Sequence, residues 1–267
     1  MEHTPPTPHH QGSPGPLRTT AEKAASRLGP YGAMWITLAV GAVFVTVMTA
    51  LAAEIYEGVA ESDDLAGFDH PLLAWVMTWR TPELNTVITW FTDTGGTIGM
   101  PLIAVAAIIA LTISSRSWRP ALLIVAAALG SLAMTVAGKN LIGRARPELA
   151  DAIPPYESSP SFPSGHTLNA TAIIAVIAYL WFLELERRAA KAWMIAGCAA
   201  YIVLIGLSRV YLGHHWLTDV AVAWVLGLAW AALVALAHRV FHTVRRVRRE
   251  RLAASAPDQD TEPQGGS

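Results

Sequence analysis

Residues 120–138 read PALLIVAAALGSLAMTVAG, a stretch free of Asp, Glu, Lys and Arg, and residues 139–147 behind it read KNLIGRARP. An apolar helix needs roughly 17 to 25 residues to cross the hydrocarbon of a bilayer, and this stretch has that length. It carries no polar face recurring every 3.6 residues, which a helix on the surface of a soluble bundle must show. It therefore reads as a membrane span that ends in a basic cluster. Five more windows lack charge in the same way: 28–53, 94–115, 158–183, 192–208 and 220–238. Together they predict an all-α polytopic membrane protein with six transmembrane helices. Composition agrees, with 53% hydrophobic and 15% charged residues, against about 25% charged in an ordinary globular chain, and a mean hydropathy of +0.39.

The basic residues give an orientation, because Lys and Arg accumulate in cytoplasmic loops. Arg18, Lys23 and Arg27 precede the first window, Arg116 and Arg119 follow the second, and Arg187, Arg188 and Lys191 follow the fourth. Arg239, Arg245, Arg246, Arg248, Arg249 and Arg251 follow the sixth, so 14 of the 19 basic residues fall on one side. Both termini are then cytoplasmic, and the even number of spans agrees. The opposite side has Arg80, Lys139, Arg144, Arg146 and Arg209, with the acidic stretch Glu54, Glu57, Glu61, Asp63, Asp64 and Asp69. A net charge of -1 excludes nucleic acid as the main partner, since such proteins carry a strongly basic domain. Cys198, the one cysteine, excludes a disulfide within the chain.

Residues 1–27 are rich in Pro, His, Thr and Gly, which predicts a disordered cytoplasmic tail. Residues 28–240 form the membrane domain, and 241–267 a basic, then polar, cytoplasmic tail. Ala50-Leu51-Ala52 mimics a signal-peptide cleavage site, but the apolar run before it is too long for that reading. Residues 70–92 are apolar yet interrupted by Arg80, Pro82 and Glu83. They predict an interfacial segment, where Trp75, Trp79 and Trp90 suit the headgroup boundary; packing inside a bundle suits them nearly as well.

Four basic residues on the wrong side for the charge asymmetry need compensation: Lys139, Arg144, Arg146 and Arg209. Snorkelling to the interface explains each singly. It does not explain their company, because Ser164, Gly165, His166, His215 and Asp219 converge on the same face. Guanidinium groups grip phosphate through paired hydrogen bonds, so an oxyanion is the indicated ligand. Pro163-Ser164-Gly165-His166 opens the fourth span, where Ser suits an N-cap and free backbone N–H groups attract anions. His215 and Asp219 are four residues apart and share a face if a helix has begun by then; Asp219 then holds the imidazole in one tautomer.

Lys139 with Arg146-Pro147, then Pro163-Ser164-Gly165-His166, then Ser208-Arg209 with His215 and Asp219, resembles the three-part signature of the type-2 phosphatidic acid phosphatase superfamily, at every signature position. The motifs cover about residues 120–225, and the six-span plan extends the likeness over the first two helices. The resemblance implies a lipid phosphatase of the cell membrane, active at the extracytoplasmic interface without metal or other cofactor. It implies that His215 attacks phosphorus, that Asp219 orients His215, and that His166 protonates the departing oxygen. Lys139, Arg146 and Arg209 would neutralise the phosphoryl oxygens, with Ser164 and the Gly165 N–H adding hydrogen bonds. The partners implied are the bilayer and a lipid phosphate: phosphatidic acid, phosphatidylglycerol phosphate or a polyprenyl diphosphate such as undecaprenyl diphosphate, with a lean toward the first and the last. A phosphotransferase with an alcohol acceptor is a second possibility, and a non-catalytic lipid-phosphate binder or transporter a third.

His214 competes with its neighbour for the nucleophile's role, and its spacing from Asp219 is the poorer. Arg144 fits either phosphate binding or anchoring at the interface. Ser208 belongs to the signature with only local hydrogen bonding to suggest. Asp93-Thr94-Gly95 mimics an aspartic protease triplet but lacks a second carboxylate triplet to share a proton. Asn169-Ala170-Thr171 fits a glycosylation sequon inside a span, where no sugar fits.

Overall fold

The computed structural model describes residues 16–60 and 66–254. The chain divides into two compact units: residues 1–39 with 240–267, and residues 40–239. Eight α-helices and no strand occur among the described residues: α1 (Pro16–Ala60), α2 (Asp69–Met77), α3 (Pro82–Asp93), α4 (Gly99–Ser115), α5 (Arg119–Ile142), α6 (Gly165–Glu184), α7 (Arg188–Tyr211) and α8 (Leu217–Ala254). Every charge-free window falls within or largely within one of them. Five helices are long and apolar enough to cross a membrane: α1 over Met34–Gly58, α5, α6, α7, and α8 over Leu217–Arg249. The window at 94–115 forms α4, whose 17 residues extend about 26 Å at 1.5 Å per residue. Residues 1–15, Glu61, Asp63 and Asp64 lie outside the described residues. Helix α1 begins at Pro16, so residues 16–27, read from composition as part of a tail, are helical.

Helix α6 occupies the middle of the larger unit. Leu168, Ala170, Ala172 and Val176 are fully buried along it, and α5 and α7 flank it. Large apolar side chains instead face outward, among them Ile109, Ile113, Leu122, Leu129 and Leu204. This is the arrangement of a protein whose solvent is hydrocarbon, in which helix association depends on close packing rather than on escape from water. Small residues supply it: Gly130 lies against the ring of Trp230, Gly206 against Trp224, and Gly227 against Thr171. Each ring is also fastened to a neighbouring backbone, Trp230 Nε1 donating to Ala126 O and Trp224 Nε1 to Ile202 O, both at 3.1 Å.

Residues 70–92 divide into α2 and α3 because Thr81 caps the second helix, accepting from Leu84 N at 3.2 Å, with Pro82 at its first position. Arg80, between them, donates to the carbonyls of Tyr211 (2.9 Å from Nε) and Asp151 (2.7 Å from Nη1). It ties the end of α7 to the long connection between α5 and α6.

Candidate active site

The site lies within the larger unit and is assembled by the ways three helices begin and end. Helix α5 stops at Gly143, whose φ of +62° is a left-handed conformation natural to glycine. The chain turns there and releases Arg144 and Arg146. Helix α7 stops the same way, with Gly213 at φ +71°. In this turn the carbonyl of Arg209 accepts the N–H groups of both His214 (3.1 Å) and His215 (3.3 Å). His215 therefore precedes α8 instead of riding on it, so the condition for a shared helical face, a helix begun by His215, is not met. The pair forms because Asp219, in the first turn of α8, reaches back and accepts the Trp216 N–H at 3.0 Å. A carboxylate at that position capping the residue before the helix is a common N-terminal device.

His215 Nδ1 lies 3.6 Å from Asp219 Oδ2, beyond a formed hydrogen bond, and Ser161 stands beside the gap. Its hydroxyl donates to Asp219 Oδ2 at 2.5 Å and lies 3.4 Å from His215 Nδ1. The opposite nitrogen, Nε2, lies 3.2 Å from Arg146 Nη1. Burial pushes the His215 imidazole down to about 4, against the upward pull of Asp219, and Arg146 and Arg209 push it the same way as burial. At neutral pH it is uncharged.

Arg209 is buried at the end of α7, with Nη1 3.4 Å from Thr92 Oγ1. Its Nη2 donates to Glu157, whose other oxygen accepts from Arg146 Nη2 at 2.7 Å. His166 Nδ1 and His215 Nε2 each lie 3.9 Å from that carboxylate. Burial pushes Glu157 upward, but Arg209, His215 and Arg146 outweigh it and hold the carboxyl down at about 2. An ionised group thus sits among two arginines and two histidines. Lys139 is tied to the same loop, its Nζ donating to Ser159 Oγ (2.9 Å) and Pro160 O (2.5 Å). A cavity of about 850 Å³ opens beside the cluster, lined among others by Lys139, Gly165, His166, Arg209, Trp90 and Leu132.

Ser164 takes the N-cap position of α6 without a side-chain cap bond. Its hydroxyl pairs with Thr167 Oγ1 at 2.9 Å instead, and its N–H faces the Asp219 carbonyl. His214 Nε2 lies 2.7 Å from Ile153 O, which anchors the connecting loop. Burial and the neighbouring Arg209 push its imidazole down to about 4. Ser208 bonds to Thr92 Oγ1 (2.9 Å) and Ile205 O (2.6 Å).

Arg144 turns away from the cradle. Its Nη1 donates to Asp219 Oδ1 (2.6 Å) and Thr218 Oγ1 (2.7 Å), and its Nη2 to Asp69 Oδ2 (2.8 Å). Asp69 in turn accepts from Thr218 N and Oγ1. The chain Asp69, Arg144, Asp219 fixes the carboxylate that faces His215, a role that the acidic stretch around Asp69 does not signal. Arg144→Gln should lower kcat on the order of 10²-fold by loosening that alignment, with KM little changed. Steady-state kinetics on a lipid phosphate checks this; a raised KM at unchanged kcat would put Arg144 on the substrate instead. Ser161, Asp69 and Glu157 carried no spacing signal. Asn169, considered only as a sequon, lines the cavity one turn after His166, and its amide oxygen is buried without a partner among the described residues.

Residues 119–242 match the family model of the PAP2 superfamily. Phosphatidylglycerophosphatase B of Bacillus subtilis is 36% identical over 190 residues, covering 69% of this chain and 87% of that protein. The crystal structure of a transmembrane PAP2-type phosphatidylglycerolphosphate phosphatase from Bacillus subtilis superposes with a TM-score of 0.62 at 30% identity, covering 73% of this chain and 93% of that one. Aquifex aeolicus LpxE shares the fold, with a TM-score of 0.50 at 22% identity over 63% of this chain and 94% of its own. With its cationic cradle and paired histidines carried on a fold shared with these relatives, the chain belongs to the PAP2 superfamily of membrane phosphatases.

Proposed function

We propose that this protein removes the terminal phosphate of a membrane lipid through a phosphohistidine on His215, without a metal ion. The observation that carries the reading is the Glu157 carboxylate held by Arg146 and Arg209 beside His166 and His215. A site that grips an anion between a neutral imidazole and a second histidine suits phosphoryl transfer, which needs positioning and charge stabilisation above all. His215 Nε2 attacks phosphorus as the bond to the leaving oxygen breaks, and His166 gives that oxygen a proton. Water then attacks the phosphorus, the P–N bond breaks, and His166 takes the water's proton. Asp219 faces the His215 Nδ1–H across 3.6 Å and orients the ring as that gap closes, while Arg146, Arg209 and Lys139 neutralise the phosphoryl oxygens. Gly165, first in α6, lends its backbone N–H; Ser164 serves there only if its hydroxyl leaves Thr167.

Phosphatidylglycerophosphate is the first substrate to try, because a relative 36% identical is named for it. Phosphatidic acid and undecaprenyl diphosphate present the same terminal phosphoryl group. The test is phosphate release from these lipids by detergent-solubilised protein with EDTA present, alongside His215→Ala. Release that survives EDTA and disappears in the variant supports the mechanism; release abolished by EDTA overturns the metal-free reading.

In this reading a membrane domain over residues 28–240 has six spans, α4 joining the five longer apolar helices, with both termini cytoplasmic and the site at the extracytoplasmic face. The distribution of Lys and Arg supports this orientation. In a Cys198→Ser background, an impermeant thiol reagent applied to intact cells should label Asp63→Cys and spare Arg248→Cys; the reverse pattern inverts the topology.

A further inference from the structure

The occupant of the cradle belongs to the chain itself. Glu157 places one carboxylate oxygen on Arg209 and the other on Arg146, at 2.7 Å for the second, and stands 3.9 Å from both His166 and His215. A phosphoryl group in reach of His215 Nε2 must take the same space. We infer that Glu157 is the resident ligand of the phosphoryl cradle, leaving when a phosphate group enters and returning to expel the inorganic phosphate product. The inference rests on the phosphatase reading above and adds a step to its cycle.

Three features of the site fit an exchange of this kind. The first is incomplete satisfaction: Arg209 Nε is buried without a partner among the described residues. A carboxylate has two oxygens and one charge, whereas a phosphate terminus brings three oxygens and a charge of about -1.5 to -2 at neutral pH. The second is room to move. Tyr156, Glu157, Ser159 and His214 line both the cavity of about 850 Å³ and a second one of about 390 Å³, so the segment that carries Glu157 borders open space in two directions. The third is mooring: Glu157 belongs to the connection between α5 and α6, so after displacement it stays at a high effective concentration.

A tethered competitor weakens every anion that uses the cradle by one common factor, the inverse of the fraction of molecules in which the cradle is free. Glu157→Gln keeps the shape and removes the charge, so its dissociation constant for inorganic phosphate should fall by about tenfold or more, the factor for a cradle free in a tenth of molecules. Glu157→Asp, a charged but shorter side chain, should fall between the two. The measurement is calorimetric titration of inorganic phosphate into the purified full chain in detergent with EDTA, with phosphate as an inhibitor of lipid turnover as the second readout. The inhibition constant should fall by the same factor, with kcat lowered as product leaves more slowly. A gain in affinity is not something a misfolded chain produces. Equal or weaker phosphate binding in both variants overturns the exchange and leaves the phosphatase reading standing. No phosphate binding in any form, wild type included, overturns both.

Discussion

On the proposed mechanism, His215→Ala should lower phosphate release on the order of 10⁴ to 10⁶-fold, the range seen when a nucleophile held by an orienting carboxylate is removed. The size of the effect follows from what the imidazole does and from what cannot replace it. Its Nε2 is the nitrogen that faces the anion held by Arg146 and Arg209, at 3.9 Å in this resting form. Its other nitrogen faces Asp219, whose second oxygen is bound by Arg144 at 2.6 Å. The adjacent His214 has no such partner among the described residues; its Nε2 is engaged 2.7 Å from the Ile153 carbonyl and its Nδ1 is buried without a hydrogen bond. His214→Gln should therefore retain the larger part of the rate while loosening the loop that Ile153 belongs to. Single-turnover assays with a radiolabelled lipid phosphate separate the two variants, and wild-type protein quenched early should carry acid-labile label on histidine. Comparable losses in both variants, or turnover near the wild-type rate in His215→Ala, would sink the assignment.

Arg209→Lys is expected to cost on the order of 10² to 10³-fold in kcat/KM, the scale of losing one preorganised donor to the developing charge. Charge is conserved by this substitution, yet the planar fork of donors is not, and phosphate recognition depends on the fork. The surroundings sharpen the difference. Arg209 is 2% exposed, its Nη1 is turned to Thr92, Nη2 meets Glu157, and Nε is buried with no partner among the described residues. A lysine ammonium there could meet one of those directions only. Full activity in Arg209→Lys would mean that a point charge suffices and that the geometry of the fork is irrelevant. Because the shorter fork-less ammonium can leave Glu157 to Arg146 alone, a thermal melt of the variant in detergent has to accompany the kinetics.

The helices were readable because hydrocarbon imposes its rule locally: a span must be apolar over its own length whatever it packs against. Windows such as 120–138 and 192–208 accordingly fall inside α5 and α7. Charge was less informative at the chain's ends. Residues 16–27 and 241–254 look polar or basic and continue α1 and α8 as helix, since helical propensity does not require an apolar face. The spacing of motifs was informative for the same local reason. Arg209 and His215 are joined through one turn, and Ser164 and His166 adjoin one helix start.

Glu157, Asp69, Ser161 and Arg144 tell the other half. Glu157 stands in YESSP and Asp69 in GFDHP, neither with periodicity or spacing to distinguish it from an ordinary surface acid. Their roles come from partners 52 residues away, for Glu157 with Arg209, and 149 residues away, for Asp69 with Thr218. The sequence by itself determined that this chain is helical and membrane-spanning in character, and that one end of its later helices gathers cations, two histidines and a carboxylate. Only the tertiary structure decided that His215 stands before its helix, that Arg144 serves Asp219, and that Glu157 fills the cradle. The division has a physical cause: bilayer solvation and helix ends act on neighbours along the chain, whereas the pairing of buried charges depends on which distant segments the packing brings within hydrogen-bond reach.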